Sequence, residues 1–181
     1  MFDLVGTRSL AATGKGSSAM LLLQQRAVAM INRGMPLHSH GYVWNDSVLM
    51  LSYETKPAVV RRNVLAELDA FKQCLELECS AQLYAICVKG LAFPRDEISS
   101  PVFDGQVGAQ PRAVVLKTSS WAMANCFEIE KKLKHHRAHW YIDSRVSDGV
   151  NLQAPFSSED VPLLPKHEPR RIDMFRGSLF R

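Results

Sequence analysis

The run Leu37-His38-Ser39-His40-Gly41-Tyr42-Val43-Trp44-Asn45-Asp46-Ser47-Val48-Leu49-Met50-Leu51-Ser52-Tyr53 decides the fold. Its two arms, residues 37–44 and 47–53, are rich in aromatic, β-branched and aliphatic side chains. Asn45-Asp46 between them suits a tight hairpin turn. An antiparallel hairpin needs elements on both flanks to cover and pair it, and both flanks supply them.

Upstream, residues 2–6 read as a short strand and residues 7–18 as a loop punctuated by Gly14 and Gly16. A helix over residues 17–33 follows. Met20, Leu23, Ala27, Met30 and Ile31 fall on one face, Ser17 or Ser18 caps the start, and Gly34 ends it. Downstream, Pro57 opens a second helix that runs to residue 77, with Val60, Val64, Leu68, Phe71 and Leu75 as its apolar row. Proline suits the first helical position because its missing N–H would be unpaired there anyway. Residues 83–88 are a strand, and residues 92–111, with three prolines, are a long loop. Residues 112–117 read as a strand and residues 119–136 as a third helix, with Ala122, Cys126, Ile129 and Leu133 facing inward. Residues 140–142 form a last short strand.

The order is β-α-β-β-α-β followed by β-α-β. A split β-α-β arrangement sets an antiparallel sheet against two helices. The expected fold is therefore α+β with a ferredoxin-like core. Residues 1–146 form the domain, and residues 147–181, without clear period, form an irregular tail packing on it or extending from it.

The 181 residues are 46% hydrophobic and 22% charged, the mixture of a globular chain that hides about two-thirds of its unfolded surface. No apolar run approaches the ~18 residues of a membrane span. The start carries Asp3 rather than a basic stretch ahead of an apolar one, so no membrane or secretory signal is expected and the reading is cytoplasmic. Net charge is +4 and is spread evenly over both halves. Cys74, Cys79, Cys87 and Cys126 include no CxxC pair, so they read as buried, reduced thiols.

Two carboxylates stand out by position. In a split β-α-β sheet the first strand and the central hairpin lie side by side, so Asp3 and Asp46 meet. Unpaired, they repel and one stays protonated. Mg²⁺ or Mn²⁺ between them removes that cost, since such ions use one or two carboxylates plus substrate phosphates. The plain alternatives are a turn residue for Asp46 and an exposed terminal residue for Asp3.

The string Asp3-Leu4-Val5-Gly6, then a helix, then a hairpin bearing Asp46, resembles the class III nucleotidyl cyclase catalytic domain. The likeness extends to Ala85–Gly90 and to Met123-Ala124-Asn125-Cys126-Phe127-Glu128-Ile129-Glu130, and covers residues 2–145. It implies that Asp3 and Asp46 hold the metal ions that activate the 3′-hydroxyl and steady the triphosphate. Gly14, Lys15, Gly16 and Ser17, at a helix start, would cradle the phosphates. The resemblance also implies a homodimer with sites between subunits.

This chain departs from the pattern at telling places. Residues 40–45 contain no lysine to read the base. Ala124 and Glu128 stand where the family has a catalytic asparagine and arginine, with Asn125 one residue out of register. A carboxylate in place of the arginine inverts the charge aimed at the reacting phosphate. The resemblance thus implies a metal- and nucleotide-binding domain that is catalytically weak or inactive and regulatory. The alternative within the same family is an active cyclase that makes a cyclic nucleotide from a nucleoside triphosphate.

Three further features stand out. Thr13-Gly14-Lys15-Gly16-Ser17-Ser18 lacks the spacing of a P-loop and reads as a mobile glycine loop. His38, His40, Tyr42 and Trp44 share one sheet face, which suits a dimer or ligand platform or a face covered by the tail. The run Lys131-Lys132-Leu133-Lys134-His135-His136-Arg137 complements a helix C-terminus. Together the sheet face and that basic helix end support a third reading, an interaction or nucleic-acid-binding module.

Overall fold

Phe2 and Leu4 turn to one side of a strand and Asp3 to the other, and that three-residue strand lies at the centre of the sheet. The computed structural model describes residues 1–5, 16–36, 40–44, 46–52, 57–90, 100–101, 114–115 and 121–180. Gly14, Lys15, His38, Asn45 and most of the 92–111 loop lie outside the described residues.

The elements are β1 (Phe2–Leu4), α1 (Gly16–Asn32), β2 (His40–Trp44), β3 (Ser47–Leu51), α2 (Ala58–Cys79) and β4 (Leu83–Cys87). They continue with β5 (Ser100–Pro101), β6 (Val114–Val115), α3 (Trp121–Leu133), a 3₁₀ turn (Lys134–His136) and β7 (Trp140–Asp143). Last come α4 (Ser144–Ser147), β8 (Ser157–Leu163) and β9 (Glu168–Phe175). The architecture is α+β, with a seven-stranded mixed sheet in the order β2-β3-β1-β4-β7-β9-β8. β1 runs antiparallel to both β3 and β4, and β7 runs parallel to β4. A parallel pair needs a crossover, and α3 lies on that connection.

Alternation along the strands builds two cores. On the first face Phe2, Leu4, Val48, Ala85, Trp140 and Ile142 pack with Leu23 and Ala27 of α1 and Leu65, Phe71 and Leu75 of α2. Phe2 sits 5.6 Å from the Phe71 ring and 5.9 Å, edge to face, from Trp140. On the second face Tyr84, Ile86, Tyr141, Ile172 and Met174 pack with Cys126, Ile129 and Leu133 of α3. The sheet is thus covered on both sides, not only by the two helices of the first face. Where α1 crosses β2, Gly41 has no room for a side chain. A Cβ there would lie 2.9 Å from Ile31 Cγ1 and 3.0 Å from Met50 Sδ, the close approach for which a strand glycine is used.

Two expectations are corrected. The stretch after residue 146 is not irregular: β8 and β9 pair over seven residues and complete the sheet against β7. It is part of the domain. Its strand character is hidden because charged residues occupy strand positions, and Arg170 and Asp173 are buried there with partners rather than solvated. Of the expected strand over residues 112–117, the described residues Val114–Val115 do not join the main sheet either. Val114–Val115 pairs with Ser100–Pro101 in a separate two-stranded ladder, and β4 is the strand that precedes α3 in the parallel unit.

Among the described residues no helix is long and apolar enough to cross a membrane. All four cysteines are free, with Cys79 and Cys126 buried. Burial pushes the Cys87 thiol up to about 11, which leaves it protonated and inert.

Candidate functional site

The pairing of β1 with β3 sets Asp3 opposite Ser47, and the Leu4 N–H donates to the Asp46 carbonyl at 3.2 Å. Asp3 and Asp46, far apart in sequence, are therefore neighbours across one strand pair. Asp3 is not an exposed terminal residue. It is 7% exposed, and both carboxylate oxygens are engaged: the Ser47 hydroxyl donates to Oδ1 at 2.9 Å, and the Tyr84 hydroxyl donates to Oδ2.

Tyr84 belongs to β4, directly opposite Asp3. Its phenolic oxygen is also 2.7 Å from Glu130 Oε1 of α3. A phenol has one proton, so it can donate to only one of two ionised carboxylates. Lys134 Nζ closes the cluster, 3.3 Å from the Tyr84 oxygen and 2.9 Å from Glu130 Oε1. Burial pushes the Asp3 carboxyl above its ordinary value. Hydrogen bonds from Tyr84 and Ser47 pull it back, and the charges of Asp46 and Glu130 push it up again. Burial, with the two carboxylates beside it, raises the Tyr84 hydroxyl far above its ordinary range, so it remains a donor.

A cleft of about 550 Å³ adjoins this cluster, lined by Val5, Tyr84, Lys134, Arg137, His139 and Tyr141 among others. A smaller, largely apolar cavity of about 130 Å³ lies beyond Met1, between the ends of β3 and β4, lined by Leu51, Ile86, Met123 and Cys126 among others. The first presents the Tyr84 phenol and the cations Lys134 and Arg137.

The positions compared with catalytic residues are otherwise occupied. Asn125 is buried and brackets one backbone residue: its amide donates to the Leu164 carbonyl at 3.2 Å, and its Oδ1 accepts the Leu164 N–H at 2.8 Å. Glu128 pairs with Lys132 at 3.4 Å on the surface. Gly16 and Ser17 are the first residues of α1, where backbone amides lack intrahelical partners. Tyr42 packs against the second core. In the basic run, Lys132 and Lys134 are held by Glu128 and Glu130.

Sequence reasoning missed Tyr84, read Lys134 only as part of the basic helix end, and gave Glu130 no role. A signal existed for Tyr84, since it alternates with Ile86 on the face that Asp3 shares. Among the described residues, one group of three His, Cys, Asp or Glu ligand atoms lies within 4.8 Å of one another, and it is His135, His136 and Glu159. Asp3, Asp46 and Glu130 do not converge in that way. Compared with protein-family models, curated proteins and solved structures, the chain matches none.

Proposed function

We propose that this chain is a nucleotide-cyclase-like domain that binds a divalent cation and a nucleoside triphosphate and serves as a regulatory rather than a turnover module. The juxtaposition of Asp3 and Asp46 across β1 and β3 carries the reading. The strand order β2-β3-β1-β4, antiparallel throughout, agrees with the split β-α-β core of that family.

The residues suit a Mg²⁺ or Mn²⁺ ion. A buried carboxyl whose charged form is disfavoured by burial and by a neighbouring aspartate is relieved by a cation, and each of its oxygens has a lone pair beyond the bonds from Ser47 and Tyr84. Asp46 and Asp3 would hold the ion, which would neutralise bound phosphate. Arg137, which lines the adjoining cleft, favours the same anionic ligand.

Turnover is disfavoured by what stands at the transition-state positions. Ala124 has no polar side chain, Asn125 is spent on the Leu164 backbone, and Glu128 brings negative charge where the family uses an arginine. Loss of one such stabilising group costs a factor of about 10²–10³ in rate. Following the family resemblance, the domain works as a homodimer.

The test is thermal unfolding with Mn²⁺ or Mg²⁺, alone and with each nucleoside triphosphate. A ligand at a hundred times its dissociation constant adds about 2.7 kcal/mol, so one nucleotide should raise the midpoint by several degrees only with metal present. Asp46→Asn should abolish that rise. No shift with any nucleotide at millimolar concentration would sink the proposal.

A further inference from the structure

We infer that His135, His136 and Glu159 form a binding site for a borderline transition-metal ion such as Zn²⁺, on the outer edge of the sheet. The inference is independent of the Asp3–Asp46 reading. The 3₁₀ turn after α3 sets the two imidazoles side by side, with ring centroids 4.0 Å apart and planes at 39°. The edge strand β8 brings Glu159 to them, and one ligand atom from each residue lies within 4.8 Å of the other two.

The contact between His136 and Glu159 points to a cation. Their Nε2 and Oε1 atoms are 2.5 Å apart, yet Nε2 is buried and makes no hydrogen bond. A protonated ring makes this contact an ion pair, whereas with Nε2 unprotonated the nitrogen and the carboxylate oxygen are two electron-pair donors in repulsion. A metal ion between them converts the repulsion into two bonds. Zinc–nitrogen and zinc–oxygen bonds of about 2.0–2.2 Å place tetrahedral ligand atoms somewhat over 3 Å apart, so modest side-chain rotation assembles the site.

The donor set fixes the class of ion. Two imidazole nitrogens and one carboxylate oxygen form a His₂Glu set suited to Zn²⁺, whereas Mg²⁺ and Ca²⁺ favour all-oxygen shells. Three protein ligands leave a fourth position for water or a group from another molecule. The surrounding run is basic, but Lys132 and Lys134 are neutralised by Glu128 and Glu130. The ion would tie the C-terminal end of α3 to the edge strand β8, and because its ligands must be deprotonated, binding would release protons and weaken as pH falls.

Calorimetric titration of the full, reduced chain with zinc tests this. The expected result is one ion per chain, with His136→Ala and Glu159→Gln each weakening binding by at least about tenfold, the loss that even outer partners of a metal ligand cause. Glu78→Gln, at an exposed residue of α2, should leave zinc affinity unchanged. Cobalt(II) should give the visible spectrum of nitrogen and oxygen ligation, without the sulfur charge-transfer band that binding by the four cysteines would produce. If His136→Ala fails to fold, His135→Gln, at an exposed side chain, carries the same comparison. Absence of binding at submillimolar zinc, or binding that survives these substitutions, overturns the inference.

Discussion

Arg170 and Asp143 meet at 2.9 Å with 7% and 0% of their side chains exposed, a fully interior ion pair joining β9 to β7. The same guanidinium donates to the Lys89 carbonyl at 2.8 Å and to the Leu164 carbonyl at 3.0 Å, while Asp143 Oδ1 accepts the Arg145 N–H at 3.0 Å. One side chain thus fastens the C-terminal hairpin to β7 and to the segment after β4.

Removing one member of this pair should be far worse than removing both. Arg170→Met leaves Asp143 buried and unpaired, and should lower unfolding free energy by about 3–5 kcal/mol. Adding Asp143→Leu should restore part of the loss. Urea unfolding of the two variants measures the difference, and equal stabilities would show that the lost backbone bonds, not the stranded charge, set the cost.

Gly41 should resist even a modest side chain. Gly41→Val pushes atoms against Ile31 and Met50, and such overpacking costs about 1–3 kcal/mol. The denaturation midpoint reports it, and an unchanged midpoint would mean that α1 shifts freely over β2.

Tyr84→Phe should unsettle the carboxylate cluster. It deprives Asp3 of a donor and Lys134 of an acceptor. A buried acceptor left unsatisfied costs about 1–3 kcal/mol. Stability measured at neutral pH should fall by that order, and a neutral result would show that water replaces the hydroxyl.

His139 makes stability depend on pH with a definite sign. Burial, with the Lys72 charge beside it, lowers its pKa below the ordinary 6.5. Its Nδ1 accepts the Gly177 N–H at 2.8 Å, a bond only the neutral ring can accept. Below pH 6.5 the unfolded chain therefore takes up protons before the folded one, so stability is present above that pH and is lost as pH falls through it toward the lowered folded value. His139→Gln should flatten this slope between about pH 5 and 7. An unchanged slope would assign the dependence to another group.

The hairpin was legible because Asn45-Asp46 divides two strand-like arms, and its partner β1 because Phe2 and Leu4 flank Asp3 with period two. From those the meeting of Asp3 and Asp46 followed. The rest of the cluster was not legible, because Glu130 arrives on α3 and Lys134 on the 3₁₀ turn after it. Its apolar row, Cys126, Ile129 and Leu133, shows that it packs but not on which face. β9 was missed for a different reason. Arg170, Arg171 and Asp173 look like a solvated tail until Asp143 and Ser158 supply their partners.

The strand made first, β1, ends up mid-sheet, while the strands that finish the sheet come from the last quarter of the chain. The carboxylate of Asp69, halfway along α2, waits for the N–H of Leu179 and the hydroxyl of Ser178. At about 5–20 residues per second of synthesis, the free edge of β7 must wait on the order of seconds for β9 to pair with it. A nascent chain that stalls before residue 157 would therefore present the unpaired edge of β7 to the cell's chaperones.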